Sequence, residues 1–216
     1  MFLIYMGIVG IGQQMLSSII EEKSSRVIEV LLSAVSPFEL MAGKIVGLVG
    51  IGLTVMSLWA AAAYGAARWQ GLSIDITPGL LFYFVIYYVL GFLLFSSILA
   101  GIGSICNTLK ETQGLMMPIV LIFIIPLISW HELLQSPDGT LARVLSFVPP
   151  VTPLVMILRI SAGHDVWIVE ILASILLLLA AAVGTIWLAA KVFRTGILMY
   201  GKRPGLREIC RWLRQT

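Results

Sequence analysis

The sequence predicts an all-α, polytopic membrane bundle of about five spanning helices, to which are added a charged coupling helix near the start, an outer re-entrant segment and a basic amphipathic tail. Composition is the first ground. Of 216 residues, 59% are hydrophobic and 12% charged, with a mean hydropathy of +1.02, whereas a soluble domain carries about 25% charged residues. The second ground is five runs without a charged residue, at 1–20, 45–67, 76–109, 112–130 and 171–190. Each meets or approaches the ~20 residues that cross a ~30 Å hydrocarbon core. The third is that none alternates polar and apolar side chains as a barrel strand does.

Run 1–20 lacks the basic leader and small-residue cleavage site of a secretory signal, so it reads as a span. Within it Gln13 and Gln14 are the adjacent polar pair. They hydrogen-bond a neighbouring helix or line a pathway, the first being the commoner use of such residues. The next stretch, 21–44 (EEKSSRVIEVLLSAVSPFELMAGK), holds seven ionisable side chains. A bilayer core does not take that many charges, so the stretch lies outside it. Val27, Val30, Leu31 and Ala34 recur at helical spacing with Arg26 and Glu29 on other faces, the pattern of a short amphipathic surface helix. Ser36, Pro37 and Glu39 then form a capping box with proline at the first helical position.

The second span carries Gly43, Gly47, Gly50 and Gly52. The G-x-x-x-G pair Gly43/Gly47 lets a helix backbone approach closely and is read as packing within the chain rather than as a dimer face. A short loop at 68–79 leads to the third span, and the polar turn 107–114 to the fourth. Pro118 and Pro126 in the fourth span mark either a moving element or a fixed kink. The segment 144–158 is uncharged but too short to span, and contains Pro149, Pro150 and Pro153. Irregular backbone at membrane depth must be shielded by protein or face a wet cavity, so it is expected to form a re-entrant or interfacial hairpin. Residues 1–190 make the membrane domain and 191–216 the tail, where Leu206, Ile209, Cys210 and Leu213 oppose Arg207, Arg211 and Arg214. Such a helix is drawn to anionic lipid by about 1 kcal/mol per basic residue. Its tether to a span argues against nucleic acid as a partner.

Placing 21–44, 106–114 and the tail on one side collects eleven of the 14 basic residues there. Only Arg68, Arg143 and Arg159 remain opposite. The positive-inside rule makes the first side cytoplasmic, and Trp69, Trp130 and Trp167 then fall at outer boundaries as an aromatic belt. The N-terminus is thus outside, the C-terminus inside, and the chain is expected to be the C-terminal part of a longer protein. In the reducing cytoplasm Cys106 and Cys210 serve as packing residues.

Catalytic and metal motifs are absent, and no cofactor is expected. His131-Glu132 lacks the second histidine of H-E-x-x-H, His164-Asp165 stands alone, and no phosphate-binding loop exists. No ionisable residue lies deep in a span to mark an ion path, Glu170 coming nearest.

Glu21-Glu22-Lys23 followed by VIEVLLSAVSPFELMAGKIVG resembles the inner loop of ABC-2 type transporter permeases, and more narrowly their sodium- and drug-efflux branch. The positions that match are Glu21, Glu22, Lys23, Glu29, Leu31, Leu32, Pro37, Gly43 and Lys44. The PPVTPLVMILR and RTGILMYGKRP segments are similar to that family too. The family's first span and outer domain have no counterpart here. The resemblance implies a permease subunit in the cell membrane, in a permease dimer, worked by a separate ATP-binding subunit that pushes on residues 23–35. Glu22, Lys23, Arg26 and Glu29 are the expected contacts, with Glu39 in the same segment. Two other classes stay open: an intramembrane enzyme using His131, Glu132 or His164, and a scaffold without transport.

Overall fold

In a computed structural model the protein is described over residues 1–71, 77–162 and 166–196, with side chains to residue 193. The expected tail helix and His164 lie outside the described residues. Five helices are long and apolar enough to cross a membrane: α1 (Phe2–Ser24), α3 (Pro37–Trp69), α4 (Pro78–Ile105), α5 (Leu109–Ile128) and α9 (Ile168–Gly196). Four shorter helices join them: α2 (Val27–Ala34), α6 (Trp130–Gln135), α7 (Thr140–Ser146) and α8 (Thr152–Ser161). α1, α3 and α9 outrun their uncharged runs and α5 begins before its own, whereas α4 falls within the run 76–109. α3 begins at Pro37 with Ser36 and Glu39 closing the capping box. α5 begins the same way, with Glu111 N donating to Thr108 Oγ1 and Asn107 N donating to a Glu111 carboxylate oxygen, inside what the sequence offered only as a polar turn. α5 runs through Pro118 and Pro126 without interruption, and α9 continues across the expected domain boundary at 190.

The centre of the bundle is α4, the most buried span. It packs in parallel with α9, as three contacts at nearly constant offset record. Tyr87 and Ser174 share a 2.6 Å hydrogen bond, Ser97 donates to Thr185 at 2.9 Å, and Gly101 faces Ala189. α1 lies on the other side of α4 and is wound as a π-helix over Met6–Ile11. The chain order leaves α1, α4 and α9 running one way and α3 and α5 the other. One end of the bundle therefore gathers α2, the start of α3 and the α4–α5 turn (the elbow end), and the other gathers α6, α7 and α8 (the hairpin end). Trp69, Trp130 and Trp167 all stand at helix boundaries of the hairpin end.

The proline-rich segment is a hairpin of α7 and α8, and it re-enters the bundle. Pro153 in the first turn of α8 sits against Gly91, midway along α4, where a Cβ would come within 2.6 Å of its ring and 2.8 Å of Ile8. Only glycine admits the proline there. Residues 152–159 are buried throughout, which explains why this stretch is apolar although too short to span.

Candidate functional site

The elbow is built by breaking one helix and restarting another. Ser25 folds its hydroxyl back onto the Glu21 carbonyl at 2.7 Å, competing with helix continuation. Arg26 then takes φ +58°, the one non-glycine residue in left-handed conformation among those described, at a cost of roughly 1–2 kcal/mol. α2 follows, Val35 is extended, and Ser36 starts α3.

The three consecutive residues Glu21, Glu22 and Lys23 take three directions. Glu21 is exposed. Glu22 pairs with Lys44 Nζ at 2.6 Å, and the same ammonium donates to Ser18 Oγ at 2.6 Å, so the pair clamps the end of α1 to the start of α3. Lys23 turns inward, only 2% exposed, and its Nζ donates to the Ser104 carbonyl at 2.7 Å. Its ammonium also lies within electrostatic reach of Glu111. A carbonyl near the end of α4 is one of the orphan acceptors of a helix terminus, and a cation there is favoured by the helix dipole. Lys23 therefore ties α1 to α4; expected as an outward contact, it is an internal strut.

The apolar face of α2 is also rotated from expectation. Ile28 is the buried residue, with Leu32 beside it, packed against Met15, Ile19, Met41, Ile45, Ala189 and Phe193. Val27, Val30 and Ala34 point away, Val30 being 71% exposed. Six apolar side chains in an eight-residue helix give periodicity two faces to choose from, and the larger isoleucine and leucine win the core. The outward face carries Arg26, Val27, Glu29, Val30 and Ser33, a small apolar centre flanked by both signs of charge. Glu29 stands in the first turn of α2, where the dipole favours a carboxylate. Pro37 and Glu39 serve the α3 cap.

Gly43 and Gly47 belong to a different surface. Nothing lies within 4 Å of where their Cβ atoms would be, so the expected packing within the chain is overturned; α3 leaves this face bare. Gln13 and Gln14 are likewise exposed midway along α1, and the expected hydrogen bonds to a neighbouring helix are absent among the described residues. His131 and Glu132 are exposed on α6, His131 in contact with Gln135 at 2.8 Å. Among the described residues no three His, Cys, Asp or Glu side chains gather as metal ligands.

Sequence reasoning missed Arg159. Counted only among the basic residues of the outer side, it is fully buried in α8. Its Nε donates to the Pro137 carbonyl at 2.7 Å, Nη1 to Ser146 Oγ at 3.1 Å, and Nη2 to Asp138 Oδ1 at 3.2 Å and Glu170 Oε2 at 2.7 Å. Arg143 approaches the other Glu170 oxygen at 3.7 Å. The available signal was one arginine inside an apolar run, VMILRI, with a carboxylate eleven residues on.

The family model described as ABC-2 family transporter protein matches residues 1–191. An uncharacterized protein of Methanocaldococcus jannaschii is 33% identical over 208 residues, covering 96% of this chain and 51% of that one. The uncharacterized protein YhaP of Bacillus subtilis is 26% identical over 227 residues, covering 99% and 54%. The chain thus spans about half the length of these curated relatives. No solved structure gives a significant match.

Proposed function

The chain belongs to the ABC-2 transporter family, and from that premise we propose that it is the membrane-spanning permease part of an ATP-driven exporter, worked through α2 by a separate ATP-binding subunit. The observation that carries the reading is the construction of the elbow. Its outer face offers Arg26, Glu29 and Val30 to a partner. Its inner side is fixed to three spans, by Glu22–Lys44 to α3, by Lys23–Ser104 to α4, and by Ile28 against Ala189 and Phe193 of α9. A push on α2 is therefore delivered to the bundle rather than absorbed in a loose loop, because packed interiors transmit displacement.

The partner and the membrane arrangement belong to the same proposal. The elbow end faces the cytoplasm, with the C-terminus, in the cell membrane, and the basic tail lies on anionic lipid. The permease works as a dimer. Exposed polar groups in hydrocarbon are costly, so Gln13 and Gln14 favour a second chain or a wet pathway over lipid at that face of α1. The bare Gly43/Gly47 surface of α3 would admit close backbone approach. The intramembrane enzyme reading gains nothing from His131, whose exposed ring meets Gln135 and Trp130 among the described residues.

The test is to co-express the permease with a candidate ATP-binding subunit and measure substrate-stimulated ATP hydrolysis in vesicles. Reversing both charges, Arg26→Glu with Glu29→Arg, should abolish the stimulation while membrane insertion stays normal. Full stimulation in that variant would refute docking at α2.

A further inference from the structure

We infer that Arg159 and Glu170 form a releasable latch, by which α9 holds the re-entrant hairpin over the polar layer of Tyr87 and Ser174. The argument begins with an asymmetry in who satisfies the buried arginine. Three of its partners, the Pro137 carbonyl, Asp138 and Ser146, come from the α6–α7 connection and α7, and Arg159 itself is on α8. These belong to one compact unit, since α8 packs on α6 and α7. Ser146 is bound into it as well, its hydroxyl donating to the Ala142 carbonyl at 2.7 Å while accepting from Arg159. From outside the hairpin there is a single ionic partner among the described residues, Glu170 in the first turn of α9.

Breaking an ordinary buried ion pair strands two charges in a medium that cannot solvate them. This pair is arranged so that neither is stranded. When the hairpin moves off α9, Arg159 keeps three hydrogen bonds and travels with them. Glu170 is 24% exposed and has Arg143, itself 56% exposed, beside its other oxygen. It is left near water, while Arg143, on α7, departs with the hairpin. α8 otherwise touches α9 little, its main packing being on α4 through Pro153 and Gly91, so the contacts of Glu170 with Arg159 and, more loosely, Arg143 govern this seam. One helical turn along α9 from Glu170, Ser174 is fully buried and bonded to Tyr87. Opening the latch exposes that layer without unfolding the hairpin. The inference needs no ATP-binding partner and no assigned orientation, so it stands or falls apart from docking at α2.

The test is chemical access to position 174. Ser174→Cys is made in the intact protein with Cys106→Ala and Cys210→Ala, purified into lipid nanodiscs, and its rate of reaction with a small maleimide is measured. The latch predicts slow labelling in this background and acceleration on the order of tenfold when Glu170→Gln is added, the loss expected for one charge-assisted hydrogen bond. Asp138→Asn removes a carboxylate from the same arginine on the hairpin's own side, and should leave the rate within about twofold. Glu170→Asp, which keeps the charge and shortens its reach, should fall between and carries the comparison if Glu170→Gln does not fold. Unchanged labelling in the Glu170 variants would overturn the latch. So would equal acceleration by Asp138→Asn, because the hairpin would then be coming apart rather than leaving α9.

Discussion

Arginine is used in opposite ways at the two ends of this bundle. Arg26, at the elbow, is exposed, held in a left-handed turn, and placed where α1 stops and α2 starts. Arg159, in the hairpin, has no exposed surface and spends its donors on two carboxylates, a carbonyl and a hydroxyl. A charge in water is available to a partner but contributes little to stability. A buried, fully bonded charge fixes the geometry of whatever surrounds it and is costly to disturb. The same side chain is therefore left to solvent in one place and made an internal fastening in the other, and what separates them is the number of protein partners each one has.

The sharpest way to break this comparison is to remove each guanidinium in turn. Arg159→Met leaves Glu170 and Asp138 without their shared partner and should destabilise the protein by about 3–5 kcal/mol, read as a large drop in the melting temperature of detergent-purified material. Arg26→Met should change it by no more than about 0.5 kcal/mol. Comparable losses from both would erase the distinction.

Glycine gives a second contrast of the same form. Gly91→Ala must displace Pro153 and Ile8 and should cost about 1–3 kcal/mol by overpacking. Gly43→Ala meets nothing and should be neutral or stabilising by up to about 1 kcal/mol in the isolated protomer. Differential scanning fluorimetry on the two variants checks the ranking. Within the elbow, Lys23→Met removes the donor to the Ser104 carbonyl and should cost about 1–2 kcal/mol, whereas Glu29→Gln should leave the melting temperature unchanged. One substitution should bring a gain: Arg26→Gly relieves the left-handed backbone and should stabilise the elbow by about 1 kcal/mol, even though it removes a charge proposed to contact the partner.

Much of this was legible in the sequence, and the exceptions have physical reasons. The five spans followed from runs of uncharged residues, and the elbow from its seven charges between two such runs. The Ser36–Glu39 box announced the start of α3 because capping is a local matter, settled over four residues. The Thr108 cap of α5, with Glu111 reaching back to Asn107 N rather than to the cap's own amide, was equally local, but its residues also fit a polar turn. What sequence could not supply was which side of a short apolar helix faces inward. Ile28 rather than Val27 or Val30 reaches Met15, Met41 and Phe193 because α1, α3 and α9 converge on that side, a fact of tertiary arrangement. Gly43 and Gly47 failed for the same reason, since a G-x-x-x-G pattern specifies what a face permits and not what arrives there. Arg159 was not singled out because its partners are 11 to 22 residues away along the chain, beyond any helical spacing.

The elbow surface is tested most directly by photo-crosslinking. Benzoylphenylalanine is placed at Val30, on the outward face of α2, and separately at Ile128, exposed at the hairpin end, with the ATP-binding subunit co-expressed. The account predicts a covalent adduct with that subunit from Val30 and none from Ile128. An adduct from Ile128, or none from Val30 while the subunit still co-purifies, would contradict it.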